Sequence, residues 1–271
     1  MQYFNLGGGN SIRLATGTPA PTVDPDAQAF ITAAAITNPT QQSAVNQLVV
    51  DLKGYGVWSK MKALYPFLGG TASQHKFNLK NPLDTDAAFR LVFNGGWTHS
   101  STGALPNGTN AWANSFYNPS ILGQLNSAHL SYYSRTNNSI DSQIEIGAYP
   151  QSYFLCYRFF ATEAYCGINS IDNPPITPIS PSARFLIGSR ISSTTGKFYV
   201  NGNLHATDNK TSISRPNQNV YIGALNNNGT AAFQTNKQVA FASIGDGLTD
   251  TEASNLYTRV QAYQTALSRQ V

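Results

Sequence analysis

At 271 residues, with 41% hydrophobic and 11% aromatic side chains, the chain can bury a sizeable core and has the length of one large all-β domain with an appendage. Only 11% of residues are charged, less than half the usual share, so the surface must be built from amides, hydroxyls and glycine. The net charge of +4 comes from scattered Lys and Arg, densest around Lys60 and Lys62, which leaves no clustered basic face for nucleic acid. The N-terminus lacks the charged and apolar regions of a secretory signal. The longest apolar stretch, FITAAAI, is far short of the ~20 residues of a membrane span.

Residues 1–23 are rich in Gly, Thr and Pro and read as an extended arm. Tyr3, Phe4, Leu6, Ile12 and Leu14 are too apolar for a purely solvated tail and too few to fold alone, so the arm is expected to lie along a partner. Residues 24–70 read as a helical segment. Asp24 before Pro25, and Asn38 before Pro39 with Gln41, are capping devices that start two helices. In the second helix Val45, Leu48, Val49 and Leu52 share a face, and Gly54 is the expected terminator.

From residue 71 to 271 the pattern is one of short strands: AAFRLVFN, HLSYYSRT, SQIEIGAY, SYFLCYRFF, ARFLIGSRI, KFYVNGNLHAT, NVYIGAL and QVAFASIG. Asn201-Gly202 is a type I′ hairpin signal, because that turn needs positive φ at both central residues. No crossover helices fit between the later strands, so the sheets are antiparallel and the class is a sandwich or jelly roll. A hairpin centred on Ala161 would make Cys156 and Cys166 cross-strand partners; the alternative is two buried thiols. At the end, Thr249 and Glu252 form a capping box, and Leu256, Val260, Tyr263 and Leu267 recur on one helical face.

The succession FLIGSR, GKFYVNGN, NVYIGALNNNG, VAFASIG and DGLTDTEASNLYTRV resembles the last third of concanavalin A-like, laminin-G-type domains, the class of lectins and glucanases, over residues 183–260. The resemblance implies a mainly β jelly roll closed by a C-terminal helix. It does not imply an activity, because this fold serves lectins, glycosidases and passive modules alike. Upstream, LKGYGVWSKMKALYPFLGG and the residues following it to Ala113 resemble a segment of tailed-phage structural proteins of the Bacteroidetes-phage, crAss-like type. That resemblance implies a virion subunit (a head fibre, decoration or tail appendage), assembled in the host cytoplasm and docked to other virion proteins through its arm. Symmetric appendages imply a homo-oligomer, a trimer first and a dimer second.

The chemistry on offer is sparse. The chain holds three Glu, at 145, 163 and 252, and lacks the Glu-x-Asp-x-x-Glu cluster carried by glycosidases of that fold. Asp141 and Glu145, read as solvated carboxylates on one strand, would lie about 13 Å apart, whereas glycoside hydrolysis requires roughly 5–9.5 Å. No catalytic residue is therefore expected. His75, His99, His129 and His205 are far apart in sequence, and Asp84 with Asp86 lacks the further oxygens of a calcium loop, so neither metal nor cofactor is expected. The stretch 94–119 reads as a long loop in which Trp97, His99, Asn110, Trp112 and Tyr117 suit a glycan, aromatic rings stacking on sugar faces and amides bonding hydroxyls. The competing reading is that both Trp residues anchor the loop or contact a neighbouring subunit. The expectation is a non-enzymatic surface subunit with a host glycan as candidate ligand, against a free-standing lectin and a polysaccharide-degrading hydrolase.

Overall fold

The computed structural model describes residues 22–138, 140–160, 163–170, 175–176 and 184–271, excepting the side chains of 156–160, 163, 175 and 176. Tyr3, Phe4, Leu6, Ile12 and Leu14 lie outside the described residues. In chain order the elements are α1 (Pro25–Ala33), α2 (Pro39–Gly54), β1 (Met61–Tyr65), α3 (Ala72–His75), β2 (Val92–Asn94), β3 (Trp97–Ser100), β4 (Gly103–Pro106), β5 (Trp112–Asn114) and α4 (Pro119–Leu122). They continue with β6 (Ala128–Ser134), β7 (Ile146–Tyr149), β8 (Ser152–Phe160), β9 (Glu163–Ser170), β10 (Pro175–Ile176), β11 (Arg184–Arg190), β12 (Gly196–Val200) and β13 (Asn203–Asp208). The last are β14 (Tyr221–Ile222), β15 (Leu225–Asn227), β16 (Thr230–Ala232), β17 (Val239–Gly245) and α5 (Asp250–Ala266).

The local signals act as their chemistry requires. The Asp24 carboxylate accepts from Asp26 N at 3.0 Å and Asn38 Oδ1 from Gln41 N at 3.1 Å, so both proline-initiated helices start where a side chain satisfies a free N–H. The second helix runs through Gly54, and its left-handed terminator is Gly56, at φ 71°, two residues later than the expected glycine. Asn201 and Gly202 both adopt positive φ, at 49° and 74°, and close the β12–β13 hairpin. Thr249 and Glu252 make both bonds of the capping box, at 2.8 and 3.3 Å.

Among the described residues two sheets form, and every pairing is antiparallel except that of β15 with β7. The first sheet has the order β13-β12-β11-β6-β17-β4-β3, with β1 also paired to β17; the second has the order β10-β9-β8-β7-β14-β5-β2, with β15 and β16 joined to it. This is the antiparallel sandwich that the strand pattern predicts. One correction concerns Met61–Tyr65, inside the stretch read as helical: it is a strand, paired with Ala242–Gly245. Another concerns AAFRLVFN, of which only Val92–Asn94 is strand; Asp86–Ala88 is a 3-10 turn ended by Phe89 at φ 61°.

Three layers result. Between the sheets lie Leu130, Tyr132, Leu186, Phe198 and Ile244 of the first sheet against Ile146, Tyr153, Leu155, Ile168 and Ile222 of the second. On the first sheet's other face, Tyr133, Phe185, Ile187, Tyr199 and Phe241 pack against Phe30, Val45, Leu48, Leu52, Leu256 and Val260 of the three long helices. The apolar run Phe185-Leu186-Ile187 is thereby explained, since successive side chains of β11 enter alternate cores and neither face is wet. Gly188 follows because a side chain there would overlap the Cys166 sulfur and Leu155. Cys166 is a free, buried thiol opposite Leu155, while Cys156 sits opposite Tyr165, so the register does not make the two cysteines cross-strand partners. The hairpin pairs Phe160 with Glu163, which shifts its centre off Ala161.

Candidate functional site

With helices closing the first sheet, the outer face of the second is where side chains can be presented. On β5 and β14, Ala113 pairs with Ile222 and both are fully buried between the sheets, so their neighbours Trp112, Asn114 and Tyr221 belong to the opposite, outer face. Register places Asn94 of β2 opposite Trp112, and Asn114 opposite Tyr221. The Trp112 and Tyr221 rings stack at 4.2 Å between centroids, inclined by 27°. Trp112 stays half-exposed, whereas Tyr221 is 6% exposed, and burial raises its phenol pKa. Asn94 Nδ2 donates to Val92 O at 3.1 Å and Asn114 Oδ1 accepts from Phe116 N at 2.9 Å. Asn94 Oδ1 and Asn114 Nδ2 have no further partner among the described residues.

The remaining expected ligand residues are placed differently. Residues 94–119 are not one long loop but include β3, β4 and β5. Trp97 lays its ring against Gly223 and donates Nε1 to Asn94 O at 3.0 Å, which anchors β3 across the mouth of the sandwich. His99 packs on Phe93 at 4.6 Å and its Nδ1 lies 2.9 Å from His75 Nδ1. Tyr117 is 2% exposed, edge-on to Phe89. Asn110 is exposed, but its Oδ1 accepts from Gly96 N at 3.0 Å and Asn107 Nδ2 at 2.8 Å, so it braces a turn. Of the five, only Trp112 combines an outward ring with an aromatic support. Tyr221, which supports it, sits in NVYIG opposite Trp-Ala-Asn; the period of two in each strand was the available signal.

Titratable groups are committed to structure. Burial first, then His99 and Arg269, pushes His75 down to about 3, and burial lowers His99 as well. His129 is fully buried with Nδ1 donating to Asp246 O at 2.6 Å; burial pushes it down to about 4 against the favourable pull of that carbonyl. Histidines distant in sequence thus do meet, at 75 and 99. Among the described residues, however, no three His, Cys, Asp or Glu side chains converge as metal ligands would. Asp84 and Asp86 bond Lys76 and Arg90 at the surface.

Glu145 corrects the expectation of a solvated strand carboxylate. It is fully buried and lies 3.2 Å from Lys237 Nζ, itself fully buried, whereas Asp141 is exposed. No described helix is long and apolar enough to cross a membrane.

No protein-family model matches the sequence, and no curated protein matches it. Among solved structures, a Trypanosoma rangeli sialidase in complex with a difluorinated nononic acid aligns with a TM-score of 0.53 at 10% identity, covering 80% of this chain and 39% of that one. A second structure of that sialidase gives 0.50 at 11% identity, over 80% and 38%. Domain 4 of an extracellular arabinanase from Geobacillus stearothermophilus, in complex with arabinotriose, gives 0.48 at 16% identity, over 73% and 98%. At 10–11% identity the likeness to the sialidase is one of fold, the two-sheet β-sandwich. This chain spans well under half the length of the sialidase chains.

Proposed function

We propose that the chain is a non-catalytic glycan-recognition sandwich whose ligand stacks on Trp112. The carrying observation is the Trp112–Tyr221 stack on the outer face of the second sheet, with Asn94 and Asn114 beside it. A half-exposed indole held flat by a second ring is pre-organised for the apolar face of a sugar, and flanking amides bond its hydroxyls. One sialidase structure was solved in complex with a difluorinated nononic acid, which is compatible with this reading and transfers no residue to it. A non-catalytic role is supported by the use of Glu145 in a buried ion pair and of Glu252 in a helix cap.

Glycan-array and calorimetric binding of the full chain test this reading. Trp112→Ala is expected to weaken any retained glycan by about tenfold while leaving circular dichroism unchanged. Binding that survives Trp112→Ala, or no binding across the array, removes the proposal. Polysaccharide panels are expected to show no new reducing ends, and release that disappears in a Glu145→Gln variant would establish a hydrolase instead.

A virion-surface role, with docking through residues 1–23 and assembly as a trimer or dimer, is the finer form of the proposal. It is supported by the sequence resemblance of the segment ending at Ala113. Deleting residues 1–23 should leave a folded sandwich with a smaller subunit number by light scattering and no incorporation into particles; an unchanged number together with unchanged incorporation refutes docking through the arm.

A further inference from the structure

Where the chain crosses between the sheets at one end of the sandwich, two crossings meet: residues 140–145 lead into β7, and residues 233–238 lead from β16 into β17. Four polar side chains gather there. Gln143 is 5% exposed, and Glu145, Thr235 and Lys237 are fully buried. Lys237 Nζ lies 2.8 Å from Gln143 Oε1 and 3.2 Å from Glu145 Oε1. The Thr235 hydroxyl lies 3.1 Å from Glu145 Oε1 and 3.4 Å from Gln143 Oε1, and it accepts from Lys237 N at 3.1 Å. Tyr132 seals the inner side by donating its OH to Lys237 O at 2.7 Å.

This is more than an ion pair needs. A primary amine is held against both a carboxamide and a carboxylate away from water, and an amine against a carboxamide is a nucleophile against an electrophile. We propose that Lys237 and Gln143 join in a self-formed isopeptide bond, with Glu145 as the catalytic proton carrier and Thr235 as a positioning residue.

The reaction needs no external reagent. The Lys237 ammonium gives one proton to the Glu145 carboxylate 3.2 Å away, which replaces two charges by two neutral groups. The freed amine lone pair forms a bond to Gln143 Cδ, and the Thr235 hydroxyl donates to the oxygen that becomes negative. A second proton on Nζ passes through Glu145 to the amide nitrogen, the Cδ–Nε2 bond breaks, and ammonia departs. The product is an Nζ–Cδ amide carrying one hydrogen, beside a protonated Glu145 that hydrogen-bonds the new carbonyl. All five hydrogens of the starting ammonium and carboxamide are then accounted for: one on the new amide, one on Glu145 and three on ammonia. The buried charges are gone, and both sheet crossings are covalently tied across a separation of 94 residues.

Peptide mapping of the purified full chain tests this directly. Complete tryptic digestion of unlinked protein yields residues 136–158, holding Gln143, and residues 211–237, ending at Lys237, as separate linear peptides. The expected result is their replacement by one branched species joining 136–158 to 211–259, uncleaved at Lys237 and lighter by one ammonia, about 17 Da, than its two parts. The branched fragment is diagnostic, whereas the intact mass is not, because cyclisation of Gln2 at a processed N-terminus loses ammonia too. Lys237→Arg keeps the charge but cannot form the bond and is expected to restore the linear 136–158 peptide; Glu145→Gln is expected to do the same. Recovery of both linear wild-type peptides in full yield after prolonged incubation overturns the proposal, whether or not either variant folds.

Discussion

Arg269 donates its Nη1 to Phe67 O at 2.8 Å, across 202 residues of sequence. The same fully buried guanidinium bonds Ser101 O through Nη1, Pro66 O at 2.7 Å and Ala240 O at 3.1 Å through Nη2, and Gln264 Oε1 through Nε. Each of its five N–H donors therefore meets an oxygen, and one side chain ties the end of α5 to β17, to the segment after β1 and to the β3–β4 turn.

Arg269→Lys is accordingly expected to be far from conservative. An ammonium has three donors and no planar fork, so at least two carbonyls lose their partner in the core. The expected loss is about 2–4 kcal/mol in urea unfolding, close to that of Arg269→Met. A lysine variant as stable as the parent shows that the fork geometry is not what matters.

Acid should begin to destabilise the protein before its carboxylates titrate. His75 is held near 3 and His129 near 4, whereas an unfolded histidine titrates near 6.5. Between those values the unfolded chain binds protons that the folded chain refuses. Their contribution is therefore intact above pH 6.5 and is lost as pH falls toward 3. Thermal melts at pH 7.5, 6 and 4.5 should show a progressive fall in Tm. His129→Asn should reduce its slope; a flat profile between pH 7.5 and 4.5 contradicts the neutral, buried assignment.

Two substitutions in α5 separate capping from packing. Thr249→Ala removes one bond of the capping box and should cost ~1 kcal/mol. Leu256→Ala opens a cavity between α5 and the first sheet and should cost ~2–5 kcal/mol. Equal costs by chemical denaturation would mean that the helix is not held by its apolar face.

Gly188→Ala should destabilise by ~1–3 kcal/mol, because the new methyl overlaps the Cys166 sulfur and Leu155 across the sandwich. Combining it with Cys166→Ala should restore part of the loss, since the sulfur is the nearest obstacle. Strict additivity of the two changes would place the strain elsewhere.

What the amino-acid sequence by itself determined were the features whose partners lie within a turn of one another. The caps at Asp24, Asn38 and Thr249 and the Asn201-Gly202 turn are set by bonds reaching two or three residues, so local chemistry is enough to specify them. Strand periodicity likewise carried the sandwich class. Only the tertiary structure decided which face of each strand is dry, because that depends on the layer packed against it: Phe185 and Leu186 are equally apolar, yet one meets helices and the other a sheet. The same limit hid β1, whose partner β17 comes late in the chain, and the contacts of His75 with His99 and of Glu145 with Lys237. Trp112 and Tyr221 show the cause most plainly: each strand's alternation is written in its own residues, but the register that stacks one ring on the other exists only once β5 and β14 have paired.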